Sequence, residues 1–297
     1  MDPRKPLLAV AAAAVLAAAA APAAAAPSPS LTAPVRTAHV GHISIGYRAF
    51  GSGPPLVLVM GLAGTIDAWD PALVDALAAQ HRVIAFDNRG VGRSTGSLAH
   101  LTIHTMAEDA NGLIQKLHLR RPDVLGWSMG GFISEDLAIH HPGSVRRLIL
   151  AASSPPAPFA TLPGPDVLAL LTSPEPSIPA TLALLFPPDQ QAAQAAYVSR
   201  ILHYPHFYLI TVPTFQAQLG AVIRWNTKRS SAEDPRHIGQ RTLVADGTSD
   251  RLTPPANSRT LARRIPHSKL ILYRDAAHGF LSQDHAAFSR AVTKFLR

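Results

Sequence analysis

Gly126-Trp127-Ser128-Met129-Gly130-Gly131 follows directly on the apolar run Asp123-Val124-Leu125. The run reads as a buried strand, and Met129 opens a helical pattern, so Ser128 falls on a strand-to-helix elbow. An elbow that tight holds its central residue in a strained conformation and pushes the side chain into the open. Residues flanking it must be small, because strand and helix backbones approach each other there. The first amide of the helix, that of Met129, then points at whatever negative charge develops beside the serine.

Working outward, short apolar runs recur at helix-sized intervals. They are Leu56–Met60, Arg82–Phe86, Asp123–Leu125, Leu148–Leu150, Thr242–Ala245 and Leu270–Tyr273, with helical stretches such as Met106–Leu117 between them. Their length and alternation with helices predict an α/β fold: a mostly parallel, twisted central sheet flanked by helices. Thr37–Val40 and Ile43–Phe50 alternate as a hairpin would. One interval is too long for a simple crossover. Between residues 152 and 241 lie apolar helical patterns at Val167–Leu171, Leu182–Phe186, Gln190–Leu202 and Phe215–Trp225, behind the proline-rich Ser154-Pro155-Pro156-Ala157-Pro158. A structureless loop of that size is implausible, so a helical cap insertion is expected. The chain is thus expected to divide into core segments 35–152 and 241–297 and a cap over 153–240.

The chain is 297 residues long with 47% hydrophobic and 15% charged residues, a globular composition. Its first 26 residues differ: Arg4 and Lys5 precede Leu7-Leu8-Ala9-Val10 and an alanine-rich run. That is the charged start, apolar middle and small-residue end of a signal peptide, and alanine is too weakly apolar for a lasting anchor. Export is therefore expected, to the periplasm or the exterior, without stable membrane insertion after cleavage. Residues 27–34 read as a flexible leader. The net charge of +8 comes from dispersed pairs such as Arg146-Arg147, Lys228-Arg229 and Arg263-Arg264, which gives nucleic-acid binding no support. There is no cysteine, which excludes disulfides, thiol catalysis and thiolate metal sites.

A serine hydroxyl is a weak nucleophile near neutral pH; it needs a base, and the base needs an orienting carboxylate. The order expected on this architecture is serine, acid, histidine, each after a later strand. His278 follows the Leu270–Tyr273 run, in Arg274-Asp275-Ala276-Ala277-His278-Gly279-Phe280. Two carboxylates follow Thr242–Ala245, in Asp246-Gly247-Thr248-Ser249-Asp250. Asp250 is favoured as the acid; Asp246 competes with it, or serves the Asp-Gly turn. Asp275 is read as a cap of the histidine loop. The turn Gly61-Leu62-Ala63-Gly64 ends the Leu56–Met60 strand and offers the Leu62 N–H as a second oxyanion donor beside that of Met129. Gly61 and Trp127 are expected in the substrate pocket. His203-Tyr204-Pro205-His206 lacks carboxylate partners at ligand spacing, so no metal and no cofactor is expected.

These motifs together resemble the α/β-hydrolase superfamily: Met60-Gly61-Leu62, Phe86-Asp87-Asn88-Arg89-Gly90-Val91-Gly92-Arg93-Ser94, the Gly-Trp-Ser-Met-Gly-Gly nucleophile elbow, Asp250 before Leu252-Thr253-Pro254, and His278-Gly279-Phe280. The resemblance covers nearly everything after residue 35. Many relatives carry His-Gly where this chain has Met60-Gly61. It implies a hydrolase with Ser128, Asp250 and His278 as a triad, and an Asp87–Ser94 loop that is scaffolding below the site. The expected activity is hydrolysis of a small-molecule carboxylic ester through an acyl-enzyme. Lactones, amides, prolyl peptides, carbon–carbon bonds and perhydrolysis are the alternatives within the fold, and a non-catalytic binding protein is the alternative outside it. Serine at the elbow argues against a dehalogenase, whose family places aspartate there. Leu168, Leu170, Leu171, Leu184, Leu185 and Phe186 make the cap apolar, as a pocket wall or as the cap's own core.

Overall fold

The computed structural model describes residues 28–173, 177–205, 208–228 and 232–297. The expected signal segment, residues 1–26, lies outside them. Eight strands form one sheet: β1 (Arg36–Val40), β2 (Ile43–Phe50), β3 (Pro55–Val59), β4 (Arg82–Phe86), β5 (Asp123–Trp127), β6 (Arg147–Ala151), β7 (Arg241–Gly247) and β8 (Ser268–Tyr273). Their order across the sheet is β1-β2-β4-β3-β5-β6-β7-β8. β2 runs antiparallel to β1 and β4, and every other neighbouring pair is parallel. The helices are α1 (Pro29–Thr32), α2 (Pro71–Ala78), α3 (Ile103–Lys116), α4 (Met129–His140), α5 (Pro165–Leu171), α6 (Ile178–Leu185), α7 (Gln191–Ile201), α8 (Val212–Thr227), α9 (Pro255–Arg264), α10 (Phe280–Gln283) and α11 (His285–Leu296). Among the described residues, no helix is long and apolar enough to cross a membrane.

Strand alternation sorts the core into two layers. Val57, Val59, Val124, Leu148, Leu150 and Val244 face α3, α4 and α9 on one side of the sheet. Leu56, Leu58, Leu125, Ile149, Leu243 and Ala245 face α2, α10 and α11 on the other. All these strand side chains are buried, the Val, Leu and Ile each worth roughly 1.5–3 kcal/mol of transfer free energy. Because both faces are covered, the central strands read as continuous apolar runs rather than as alternating ones.

Residues 27–34, expected to be flexible, contain an ordered helical turn. Pro29 is at the first position of α1, and Asp75 on α2 accepts from the Ser30 N–H at 2.9 Å and from the Ser28 hydroxyl. A half-buried carboxylate that accepts from both an amide and a hydroxyl outweighs the flexible composition of the segment.

Between β6 and β7 the chain forms α5–α8. Phe186, Tyr197, Ile201 and Tyr204 build a small core inside this insertion. It is fastened to the sheet domain by polar contacts. Arg200 on α7 grips Asp70 with two hydrogen bonds of 2.7 and 2.6 Å. The Tyr197 and Tyr204 hydroxyls donate to the Ala68 and Trp69 carbonyls at 2.9 and 3.0 Å. Burial first, and then nearby carboxylates, raise both phenols well above their usual range, so they act as donors.

Candidate active site

Ser128 sits between the end of β5 and the start of α4 with φ 57° and ψ −124°, a left-handed conformation costly for a residue with a Cβ. Two contacts hold it there. Its N–H donates to the Ala151 carbonyl on β6 at 2.9 Å, and its own carbonyl accepts from the Gly131 N–H at 2.7 Å. A Cβ at Gly130 would lie 2.0 Å from the Val59 carbonyl oxygen, so only glycine lets α4 start this close to β3. Met129 is the first residue of α4, and its N–H belongs to the unpaired first turn of that helix.

The Gly61-Leu62-Ala63-Gly64 turn lies against the same serine. A Cβ on Gly61 would stand 3.0 Å from Ser128 Cβ and 3.6 Å from its hydroxyl oxygen. Leu62 follows directly. The turn is fixed from two sides: Asn88 Nδ2 donates to the Met60 carbonyl at 2.9 Å, and the Ala63 N–H donates to Gln218 Oε1 of α8 at 3.0 Å. Gln218 is fully buried. We expect Gln218→Leu to free the turn and lower kcat about 5–10-fold, the worth of one net hydrogen bond, with little change in Tm. Steady-state kinetics beside a thermal melt check it, and unchanged kcat would remove Gln218 from the positioning of this turn.

His278 Nδ1 lies 2.7 Å from Asp250 Oδ2, and both side chains are buried. This leaves Nε2 as the nitrogen free to face a serine hydroxyl. Asp250 is itself held on four sides. Its Oδ1 accepts from the Leu252 and Thr253 amides at 2.8 and 2.9 Å, and its Oδ2 meets the Thr253 hydroxyl at 2.9 Å as well as the imidazole. The Thr253 hydroxyl also lies 2.9 Å from the Ala152 carbonyl, which ties this loop to the end of β6.

Asp246 occupies a different place. It accepts from the Gly247 N–H at 2.8 Å and from the Ser258 hydroxyl at 2.7 Å, and so joins β7 to α9. Burial first, and then the negative charge of Asp250, raise its carboxyl well above the usual range. Of the two carboxylates weighed from sequence, the one touching His278 is Asp250. Asp275 takes a positive φ of 55° in the loop before His278, and its N–H donates to the Thr248 hydroxyl at 3.1 Å.

Trp127 is buried. Its indole N–H donates to the His278 carbonyl at 3.1 Å, and its ring lies 5.9 Å from the imidazole and 6.0 Å from Trp69. The residue preceding Ser128 thereby pins the histidine loop to the elbow. The insertion reaches the same loop, since the Gly279 N–H donates to the Leu185 carbonyl at 2.7 Å. Below the site, Asp87 Oδ1 and Oδ2 accept from the Ile66 and Arg93 amides at 2.8 and 3.1 Å, and burial pushes this carboxyl up to about 6. Gln218, Thr253 and the brace made by Trp127 carry no signal in the sequence that separates them from ordinary neighbours.

The family described as alpha/beta hydrolase fold matches residues 54–171, and one described as TAP-like protein matches residues 217–297. RutD of Caulobacter sp. (strain K31), provisionally named a carbamate hydrolase, is 30% identical over 250 residues, 81% of this chain and 90% of its own. The 2-hydroxy-6-oxo-2,4-heptadienoate hydrolase of Pseudomonas putida is 30% identical over 257 residues, 83% of this chain and 90% of its own. The chain belongs to the α/β-hydrolase family. An alpha/beta hydrolase fold protein from Chitinophaga pinensis superposes on this hydrolase with a TM-score of 0.82 at 28% identity, covering 90% of this chain and 98% of its own. In this α/β hydrolase, the elbow, the Gly61 turn and the Asp250–His278 pair converge from β5, β3, β7 and β8 at the carboxyl edge of the sheet, where open α/β folds place ligands.

Proposed function

We propose that this hydrolase cleaves small-molecule carboxylic esters through an acyl-enzyme on Ser128, outside the cytoplasm. The observation that carries the reading is the strained Ser128 elbow lying against Gly61, with the buried His278–Asp250 pair pinned to it through Trp127. In the first half-reaction Ser128 Oγ attacks the ester carbonyl while His278 Nε2 takes its proton. The Met129 and Leu62 amides stabilise the oxyanion, and collapse expels the alcohol with the proton from His278. A water, deprotonated by His278, then attacks the acyl-enzyme and releases the acid.

Both named relatives support carbonyl chemistry: a carbamate and a 6-oxo acid each present a carbonyl carbon. Leu185, half-buried, and Phe186, buried, stand beside Gly279, which favours an apolar group on the substrate. The charged start and alanine run of residues 1–26 support export.

The test is hydrolysis of p-nitrophenyl esters from acetate to palmitate. Turnover is expected, falling off with chain length where the acyl pocket ends, and unchanged by a chelator. A folded protein inactive on every ester would overturn the ester assignment. The Pseudomonas putida relative favours carbon–carbon hydrolysis of an oxo acid as the second reading, and loss of a conjugated 2-hydroxy-6-oxo dienoate chromophore in the same assay would select it.

A further inference from the structure

His104 and Glu108 stand one turn apart on α3, and Asp136 and His140 one turn apart on α4, so each pair shares a helix face. The two helices bring those faces together. His104 Nδ1 lies 2.9 Å and His140 Nδ1 3.2 Å from the same oxygen, Asp136 Oδ1. The two imidazoles meet edge to face at 4.9 Å. One ligand atom from each of His104, Asp136 and His140 lies within 4.8 Å of the others. That span is closed by small side-chain rotations around one ion with bonds of about 2.0–2.2 Å.

A second observation is independent of this spacing. Asp136 is only 1% exposed, yet its Oδ2 has no hydrogen-bond partner among the described residues. A buried carboxylate oxygen left in that state is costly. A cavity of about 310 Å³ opens beside it, lined by His104, Asp136 and Glu233 among others. Glu233 Oε2 is likewise buried and without a partner among the described residues. An ion pair between His104 and Asp136 would satisfy Oδ1 alone and leave both Asp136 Oδ2 and Glu233 Oε2 as they are. Of the described residues lining the cavity, Arg224 is turned to the Leu101 carbonyl and Lys228 is exposed.

We infer that His104, Asp136 and His140 form a binding site for a divalent transition-metal ion, Zn²⁺ by its donor set, with Glu233 at the open coordination position. Two imidazoles with carboxylate, and no sulfur, suit Zn²⁺, Ni²⁺ or Cu²⁺ rather than Cu(I) or the oxygen-seeking Ca²⁺ and Mg²⁺. The site is separate from Ser128: Asp136 lies eight residues further along α4, about 12 Å along the axis. Its effect is to clamp α3 to α4 behind the elbow, leaving the ester chemistry to the serine centre.

Calorimetric titration of the untagged protein with ZnCl₂ tests it, beside His104→Ala/His140→Ala and the single variant His140→Ala. The expected result is one ion per chain in the wild type, a raised Tm on binding, and at least about a 10-fold loss of affinity in each variant, with p-nitrophenyl ester turnover unchanged. Co²⁺ in place of Zn²⁺ should give the visible absorption of a tetrahedral site. Absence of stoichiometric uptake by the folded wild type, or equal uptake by the double variant, would overturn the assignment. Neither result bears on Ser128.

Discussion

Ser128→Ala is expected to abolish ester turnover, by at least about 10³-fold in kcat, while leaving the fold and the apparent affinity for substrate in place. The size follows from the mechanism. Without the hydroxyl there is no acyl-enzyme, and only the oxyanion donors and binding remain to assist direct attack by water. The fold should survive because the side chain contributes nothing to the contacts that hold the elbow: those are the backbone bonds to Ala151 and Gly131. Alanine keeps the Cβ, so the strain at φ 57° stays as it is. Burst kinetics with p-nitrophenyl acetate separate the steps: the wild type should release a stoichiometric burst where deacylation is slow, and the variant none. Activity near the wild-type level would remove Ser128 from the chemistry.

Asp250→Asn should be nearly as damaging, on the order of 10³–10⁴-fold in kcat. An amide NH₂ placed toward His278 Nδ1 would compel that nitrogen to accept, moving the proton to Nε2, where it can no longer take one from a serine. The tautomer is wrong and the developing imidazolium has lost its counter-charge. The contrasting substitution, Asp246→Asn, is expected to cost less than about 10-fold. Asp246 is already biased toward its neutral form, and an amide can accept from the Gly247 N–H and donate to the Ser258 hydroxyl with little rearrangement. Side-by-side kcat values decide between the two carboxylates, and the reverse ranking would move the acid to Asp246.

The motifs legible in the sequence are those written in contiguous residues. Gly-Trp-Ser-Met-Gly-Gly specifies the elbow because backbone sterics at that turn exclude a Cβ at Gly130, a constraint read within a few residues of the serine. The strand runs were legible because burial on both faces leaves an unbroken apolar signature, and β5 differs from its reading only by running on through Trp127. The ordered turn at Pro29–Thr32 was hidden by a composition that says linker, since its partner, Asp75, lies on another helix.

By itself, then, the sequence determined the layered α/β fold, the position of the serine and the place of the histidine after the last strand, since each follows from short-range sterics and hydrophobic period. Only the tertiary structure decided which carboxylate meets His278, 28 residues away, that Gln218 holds the Gly61 turn across 155 residues, and that Trp127 braces the histidine loop across 151. It alone brought His104 on α3 against Asp136 and His140 on α4. Such pairings depend on how helices and loops pack over the sheet, and a hydrogen bond of fixed length between distant residues leaves no period or spacing in the chain to announce it.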